Sequence, residues 1–187
     1  MGQPQPISPF TAQEYLAWEA EQAGKHEYYL GEVFAMGGAS RRHVTVAGNV
    51  FAALDQILTD TPCRAYMADM MVEAVAGEVY YYPDVFVTCD PVDHQADRFM
   101  RSPVLVVEVL SPSTEGYDRG EKFARYRLIP SLREYVLIDP ERLAVDIFQR
   151  TDEGVWTLRD VLAEKPLHFD SLKLEIAWQR VFRNVTE

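Results

Sequence analysis

Long apolar runs are missing from this sequence. Near its middle the longest uninterrupted one, Val104 to Val107, is four residues, against roughly 20 needed to span a bilayer as a helix. A membrane-spanning role is excluded on that count. The opening MGQPQPISPF has neither a basic nor an apolar segment, so it does not read as a secretory leader and the expected location is cytoplasmic. Cysteine is nearly absent: Cys63 and Cys89 are the two, their spacing fits no zinc site or disulfide framework, and they are expected as buried free thiols. The sequence also lacks a phosphate-binding glycine loop, a dinucleotide fingerprint and an HExxH zinc motif. Positive charge is in deficit, 18 Lys and Arg against 29 Asp and Glu for a net charge of −11, which opposes non-specific nucleic-acid binding over the whole surface. Trp18, Trp156 and Trp178 are too scattered to suggest a platform for stacking bases.

What is present is material for one core. The 187 residues are 48% hydrophobic and 12% aromatic, which suits a single globular unit rather than two. Charge is uneven along the chain. Residues 111–140 balance five basic side chains (Arg119, Lys122, Arg125, Arg127, Arg133) against five acidic ones, so a polyanion would be met there or at Arg41 and Arg42.

The periodicities predict an α/β fold. Thr11 with Glu14 three residues on is a capping box for a first helix, and a tight hairpin about Gly31 follows. A second helix is predicted from near Ser40 to Leu58, and strands over 63–68, 70–75, 79–82 and 85–89. The segment Asp90 to Arg101 reads as a loop. Val104 to Leu110 is nearly all apolar, the mark of a strand covered on both faces. A helix over Asp118 to Leu128, a strand over 134–138, a hairpin over 145–159 and a short helix near 176–181 complete the reading. The rings of Tyr80-Tyr81-Tyr82 are expected to divide between core and subunit contact, so this tyrosine-rich edge or the terminal hairpin is expected to bury against a second copy. Strand, helix, strand in that order supports a crossover connection.

Two acids break the apolar pattern. Alternation puts Val104, Val106, Glu108 and Leu110 on one strand face and Leu105, Val107 and Val109 on the other. A carboxylate in such a strand is costly unless paired, hydrogen-bonded or bound to a metal, so Glu108 either meets an arginine such as Arg125 or Arg133 or belongs to a site. Asp84 opens another apolar strand directly after Tyr82-Pro83. If the two strands are neighbours, both carboxylates converge on a divalent cation that offsets their repulsion, and magnesium suits oxygen ligands supplemented by water and phosphate. Lys122 is the candidate to orient water or stabilise charge on phosphate; four residues after Asp118, it equally reads as a helix salt bridge worth about 0.2–0.5 kcal/mol. His43 suits phosphate contact or proton transfer, or a surface hydrogen bond. Glu27 and Glu32 are weaker candidates on the first hairpin. Asp69 has no spacing that separates ligand from structural acid.

Together these residues resemble the Uma2 family, within the PD-(D/E)XK nuclease superfamily. The match runs through His26-Glu27-Tyr28, Gly31-Glu32, His43, Tyr82-Pro83-Asp84-Val85 and Val106 to Thr114. It continues with Asp118, Lys122 and Tyr126, then Glu134-Tyr135 and Ile138-Asp139-Pro140. The resemblance implies a restriction-endonuclease-like mixed β-sheet core flanked by helices, with an N-terminal helix and hairpin. It covers one domain over residues 10–180, leaving 1–9 and 181–187 as terminal extensions. It implies hydrolysis of DNA phosphodiesters by water with Mg2+ or Mn2+, and frequently a homodimer. Asp84, Glu108 and the Val109 carbonyl are then the implied metal ligands, with Lys122, Glu27 and His43 completing the catalytic set. The lysine usual two residues after the glutamate is replaced by Leu110, and Lys122 stands as its migrated substitute. The rival expectation is a nucleic-acid- or protein-binding homodimer that keeps the fold without catalysis.

Overall fold

The computed structural model describes residues 10–186; the extension expected over residues 1–9 lies outside them. Thr11 caps α1 (Ala12–Glu19) through the reciprocal box, its hydroxyl accepting from the Glu14 amide while the Glu14 carboxylate accepts from the Thr11 amide. β1 (His26–Tyr29) and β2 (Glu32–Ala35) form an antiparallel hairpin. Its two turn residues, Leu30 and Gly31, have φ of 48° and 95°, the positive values that a two-residue hairpin turn requires. Ser40 caps α2 (Arg41–Leu58), whose buried stripe is Val46, Ala47, Val50, Ala53, Leu54 and Leu58.

Six strands follow: β3 (Arg64–Met67), β4 (Met71–Val75), β5 (Val79–Tyr81), β6 (Val85–Thr88), β7 (Phe99–Met100) and β8 (Pro103–Val109). A helical segment of three parts comes next: α3 (Glu115–Tyr117), a π-helical turn over Asp118–Lys122, and α4 (Phe123–Tyr126). The chain closes with β9 (Glu134–Asp139), β10 (Ala144–Arg150), β11 (Trp156–Val161), β12 (Leu167–Phe169), β13 (Leu174–Ile176) and α5 (Trp178–Val181).

The strands make a six-stranded sheet ordered β11-β10-β9-β8-β6-β3, a five-stranded sheet ordered β2-β1-β5-β4-β7, and the pair β12-β13. β8 and β9 run parallel, joined through the helical segment, while the other neighbours of the larger sheet are antiparallel. The fold is thus mixed α/β with an N-terminal helix and hairpin. β8 divides its side chains as its alternation predicts. Leu105, Val107 and Val109 enter one core with α2, α5, Phe182 and Val185, so this core continues past residue 180. Val106 and Leu110 enter a second with Tyr81, Tyr126, Tyr135 and Leu137. Glu108 shares the face of this second core, where the two sheets and the helical segment meet.

Three expectations need correction. Cys63 and Cys89 are not free buried thiols: they form a disulfide and each is only partly buried. Pairing of Arg64 with Thr88 across β3 and β6 sets the flanking cysteines opposite each other, a proximity decided by strand pairing rather than spacing. Tyr80, Tyr81 and Tyr82 supply no exposed edge for a second copy, because β5 lies inside the five-stranded sheet and all three rings are buried. The Asp90 to Arg101 segment is not wholly loop; it holds a 3-10 turn over Asp93–Gln95 and then β7. β12 and β13, too short for a clear alternation, were not anticipated.

Candidate active site

The register of the larger sheet brings the two anomalous acids together. Val85 pairs with Val107 across β6 and β8, so Asp84, just before β6, falls opposite Glu108. Asp84 Oδ2 accepts from the Val109 amide at 2.7 Å, and Oδ1 lies 2.8 Å from His43 Nε2 at the start of α2. The Val109 residue proposed as a carbonyl ligand therefore touches Asp84 through its N–H. From the smaller sheet, β1 contributes Glu27, whose Oε1 accepts from the Tyr82 amide at 3.1 Å.

Lys122 joins these elements. Its Nζ lies 3.0 Å from Glu27 Oε1, 3.1 Å from Glu108 Oε1 and 3.7 Å from Asp118 Oδ1, and 5.3 Å from the centroid of the Tyr81 ring. The π-helical turn has Lys122 as its last residue. Its wider i to i+5 rings rotate the following residues relative to an α-helical continuation, a distortion that recurs at functional sites. Tyr126 on α4 donates to Glu108 Oε1 at 3.2 Å, and Tyr135 donates to the Asp118 carbonyl at 2.9 Å. The alternative partners considered for Glu108, Arg125 and Arg133, do not pair with it.

The centre has a dry floor and a wetter mouth. Side chains of Glu108, Asp118 and Lys122 are 5%, 6% and 7% exposed, whereas His43 and Asp84 reach 17% and 21%. Burial, reinforced by Asp84, Asp118 and Glu27 against the pull of Lys122, raises Glu108 well above the ordinary glutamate range. Asp118 is raised by burial too, with Lys122 opposing. Burial works to discharge Lys122, but Glu108, Glu27 and Asp118 outweigh it and hold the ammonium well above its ordinary value. Three carboxylates thus crowd one ammonium, with a fourth, Asp84, opposite Glu108.

Sequence reasoning named Asp84, Glu108, Lys122, Glu27 and His43, and the fold gathers all five. Glu32 is exposed on β2, and Asp69 pairs with Lys25 at 3.1 Å on the surface. Asp118 was read as a helix partner of Lys122 and as part of the Uma2 match, but not as a site residue; its burial in the centre had no further signal in the sequence. Among the described residues no three His, Cys, Asp or Glu side chains are gathered around a common ion position, since Lys122 takes the inner oxygens of Glu27 and Glu108. The chemistry of the donor set nonetheless fits a hard divalent cation: the donors are carboxylate oxygens, their negative charge exceeds what Lys122 balances, and Asp84 opens to solvent.

Comparison with known proteins assigns the chain. The family model of Uma2, described as "Putative restriction endonuclease", matches residues 12–180. This chain belongs to the Uma2 family. Two uncharacterised proteins of Synechocystis sp. are relatives of this Uma2 chain: slr1290, 37% identical over 183 residues and covering 96% of each chain, and sll1609, 32% identical over 167 residues, or 88% of this chain and 94% of that one. A crystal structure from Anabaena variabilis, described as "a putative nuclease belonging to DUF820", superposes with a TM-score of 0.77 at 16% identity, covering 95% of this chain and 99% of that one. At that identity the likeness speaks for the fold alone. Within it, Uma2 residue 110 is Leu and the lysine of the centre comes from the helical segment.

Proposed function

We propose that this Uma2 protein is an endonuclease that hydrolyses DNA phosphodiester bonds by attack of water, with Mg2+ or Mn2+ as cofactor. One observation carries the reading: Glu27, Glu108 and Asp118 converge on Lys122, and Asp84 stands opposite Glu108 at the partly open end of a nuclease-type sheet. Asp84 and Glu108, with the Val109 carbonyl, would hold the metal, which when bound supplies Lewis-acid polarisation of phosphate and activation of water. The chain's own residues do the rest. Lys122 faces charge developing on the phosphate and orients the attacking water. Glu27 fixes the ammonium from the opposite sheet, and the Tyr126 hydroxyl fixes Glu108. His43 restrains Asp84 at the mouth and would pass a proton to the leaving oxygen.

A matched time course tests this on single-stranded, duplex and branched DNA with magnesium, manganese or chelator. Wild type cuts only with metal, while Asp84→Asn and Glu108→Gln lose both cutting and metal binding in titration calorimetry. Lys122→Ala keeps metal binding but cuts about 10²–10³-fold more slowly, the loss typical of removing one transition-state donor. A wild type inactive on every substrate with either metal sinks the reading.

A non-catalytic DNA- or protein-binding homodimer is the second reading, favoured by the engagement of Lys122 with two carboxylates before any substrate arrives. In either reading the second copy docks at the terminal hairpin, where β11 is a sheet edge and Val155 and Leu158 are exposed. Sedimentation equilibrium decides this, and a monomer at all micromolar concentrations removes the dimer. The expected setting is cytoplasmic, and none of the described helices is long and apolar enough to cross a membrane.

A further inference from the structure

Beside the acidic centre lies a guanidinium with unusual bonding. Arg125 follows Lys122 by three residues on the helical segment, and Tyr29 follows Glu27 by two on β1. The Arg125–Tyr29 contact therefore runs alongside the Lys122–Glu27 pair, about 4.5 Å further along a helix and about 6.6 Å further along a strand. Arg125 Nη2 donates to the Tyr29 hydroxyl, and its Cζ sits 5.1 Å from the centroid of the Tyr29 ring. The remainder of the group is unused. Arg125 Nε is buried with no hydrogen-bond partner, and Nη1 makes no hydrogen bond among the described residues.

The missing partner is a carboxylate. Among the described residues Arg42, Arg101, Arg119 and Arg142 pair with an acid, whereas Arg125 and nine other arginines do not. Arg125 and Arg150 also share a buried Nε without a partner, but Arg150 gives its Nη1 to the Ile129 and Pro130 carbonyls, while Arg125 has only the Tyr29 hydroxyl. Burying charge without a counter-ion is costly, so an anion from outside is the natural complement. The planar fork of arginine matches phosphate oxygens as the point charge of lysine does not. Because the Tyr29 oxygen accepts from Arg125, its own O–H proton is left to donate. Nη1 and the Tyr29 hydroxyl thus offer two neighbouring donors, backed by a full positive charge, and they lie beside acids that would otherwise repel a polyanion.

We propose that Arg125 and Tyr29 form a phosphodiester-binding site that grips the DNA strand one step from the phosphate at the Lys122 centre, a site that rests on the nuclease reading only for the choice of polymer. It sets the position of the strand relative to the acids, and it gives an acidic protein a local point of attachment.

The test measures anisotropy of a fluorescein-labelled DNA duplex across a salt series with magnesium, using Glu108→Gln as the parent so that cutting does not intervene. Adding Arg125→Ala weakens binding about tenfold and lowers the slope of log K against log salt by about one, the signature of one lost phosphate contact. Adding Arg125→Lys keeps the slope but loses about threefold, because the charge stays and the fork goes; this variant also retains the buried stem and decides the matter if the alanine variant does not fold. Unchanged affinity in the folded variants overturns the site, as does a parent that binds no duplex at low salt. Cutting by otherwise wild-type protein is scored separately. An Arg125 binding defect with no cutting under any condition sinks the nuclease reading and leaves the phosphate site, whereas normal cutting with no Arg125 defect does the reverse.

Discussion

Two groups of buried acids in this protein are built on opposite principles. Glu73 on β4 accepts from the Gly77 amide at 3.0 Å, from the Tyr80 hydroxyl at 2.5 Å and from Arg101. Nearby, Asp93 accepts from the Thr88 hydroxyl and from the amides of Arg101 and Ser102 at 2.8–2.9 Å. Each of these carboxylates has donors of its own. Around Lys122, by contrast, Glu27, Glu108 and Asp118 share one ammonium, with Asp84 beside them. The two glutamates respond in opposite directions. Burial works to raise Glu73, but Tyr80, Gly77 and Arg101 overcome it and hold the group below its ordinary value, while Glu108 is driven up. A buried acid is thus no evidence of a site; a shortage of donors around several acids is.

The comparison can be broken most directly at its cation. Lys122→Met leaves the acids without their counter-charge and is expected to cost about 3–5 kcal/mol in urea unfolding without metal, the usual penalty for removing one side of a buried pair. Added Mn2+ should recover part of that loss. A cost below about 1 kcal/mol would mean that water already screens the centre.

Next in size is Glu73→Gln, which replaces one acceptor oxygen by an NH2 group that cannot serve the same donors. A destabilisation of about 1–3 kcal/mol is expected, the cost of leaving buried donors unmatched. The same chemical change at Glu108 should go the other way. Glu108→Gln relieves repulsion from three neighbouring acids and should raise the melting temperature, a gain on the order of 1 kcal/mol of the kind found when a functional site is neutralised. If both substitutions destabilise equally, the two clusters do not differ in kind.

The smallest effect separates the clusters by pH. Because Glu73 is held below its ordinary value of 4.5, the folded state releases that proton more readily than the unfolded chain. Its stabilisation is complete above pH 4.5 and is lost as pH falls through the lower folded value. Wild type should therefore lose stability on acidification more steeply than Glu73→Gln, by at most about 1.36 kcal/mol per pH unit for one proton. Parallel curves from thermal melts between pH 5 and pH 3 would remove the claim.

The elements themselves were largely legible before folding. The Thr11 box, the Ser40 cap, the turn at Gly31 and the apolar alternation of β8 are local signals, and each acts within a few residues of where it is written. The division of β8 into two faces followed from strand geometry alone, and so did the anomaly of Glu108. Asp84, Glu108 and Lys122 were found because an acid in an apolar strand and a resemblance to Uma2 pointed to the same residues. Arg125 was marked only as one of several basic side chains that could touch a phosphate and Tyr29 not at all, since an arginine on a helix and a tyrosine on a strand are ordinary until they meet.

What the sequence determined by itself was therefore whatever depends on short range: caps, turns, strand faces, and the presence of charge where apolar residues were due. The tertiary structure decided which distant groups share a donor. Pairing across β3 and β6 joined Cys63 to Cys89, and insertion of β5 between β1 and β4 buried a tyrosine run whose sequence suits a sheet edge as well. Packing of the helical segment against both sheets set Asp118 and Lys122 in the same dry floor as Glu108. The physical reason is one of range. Helix and strand periodicities repeat over a few residues, whereas the balance of a charged centre depends on every group within a few ångströms in space, and those groups come from segments as far apart as Glu27 and Lys122.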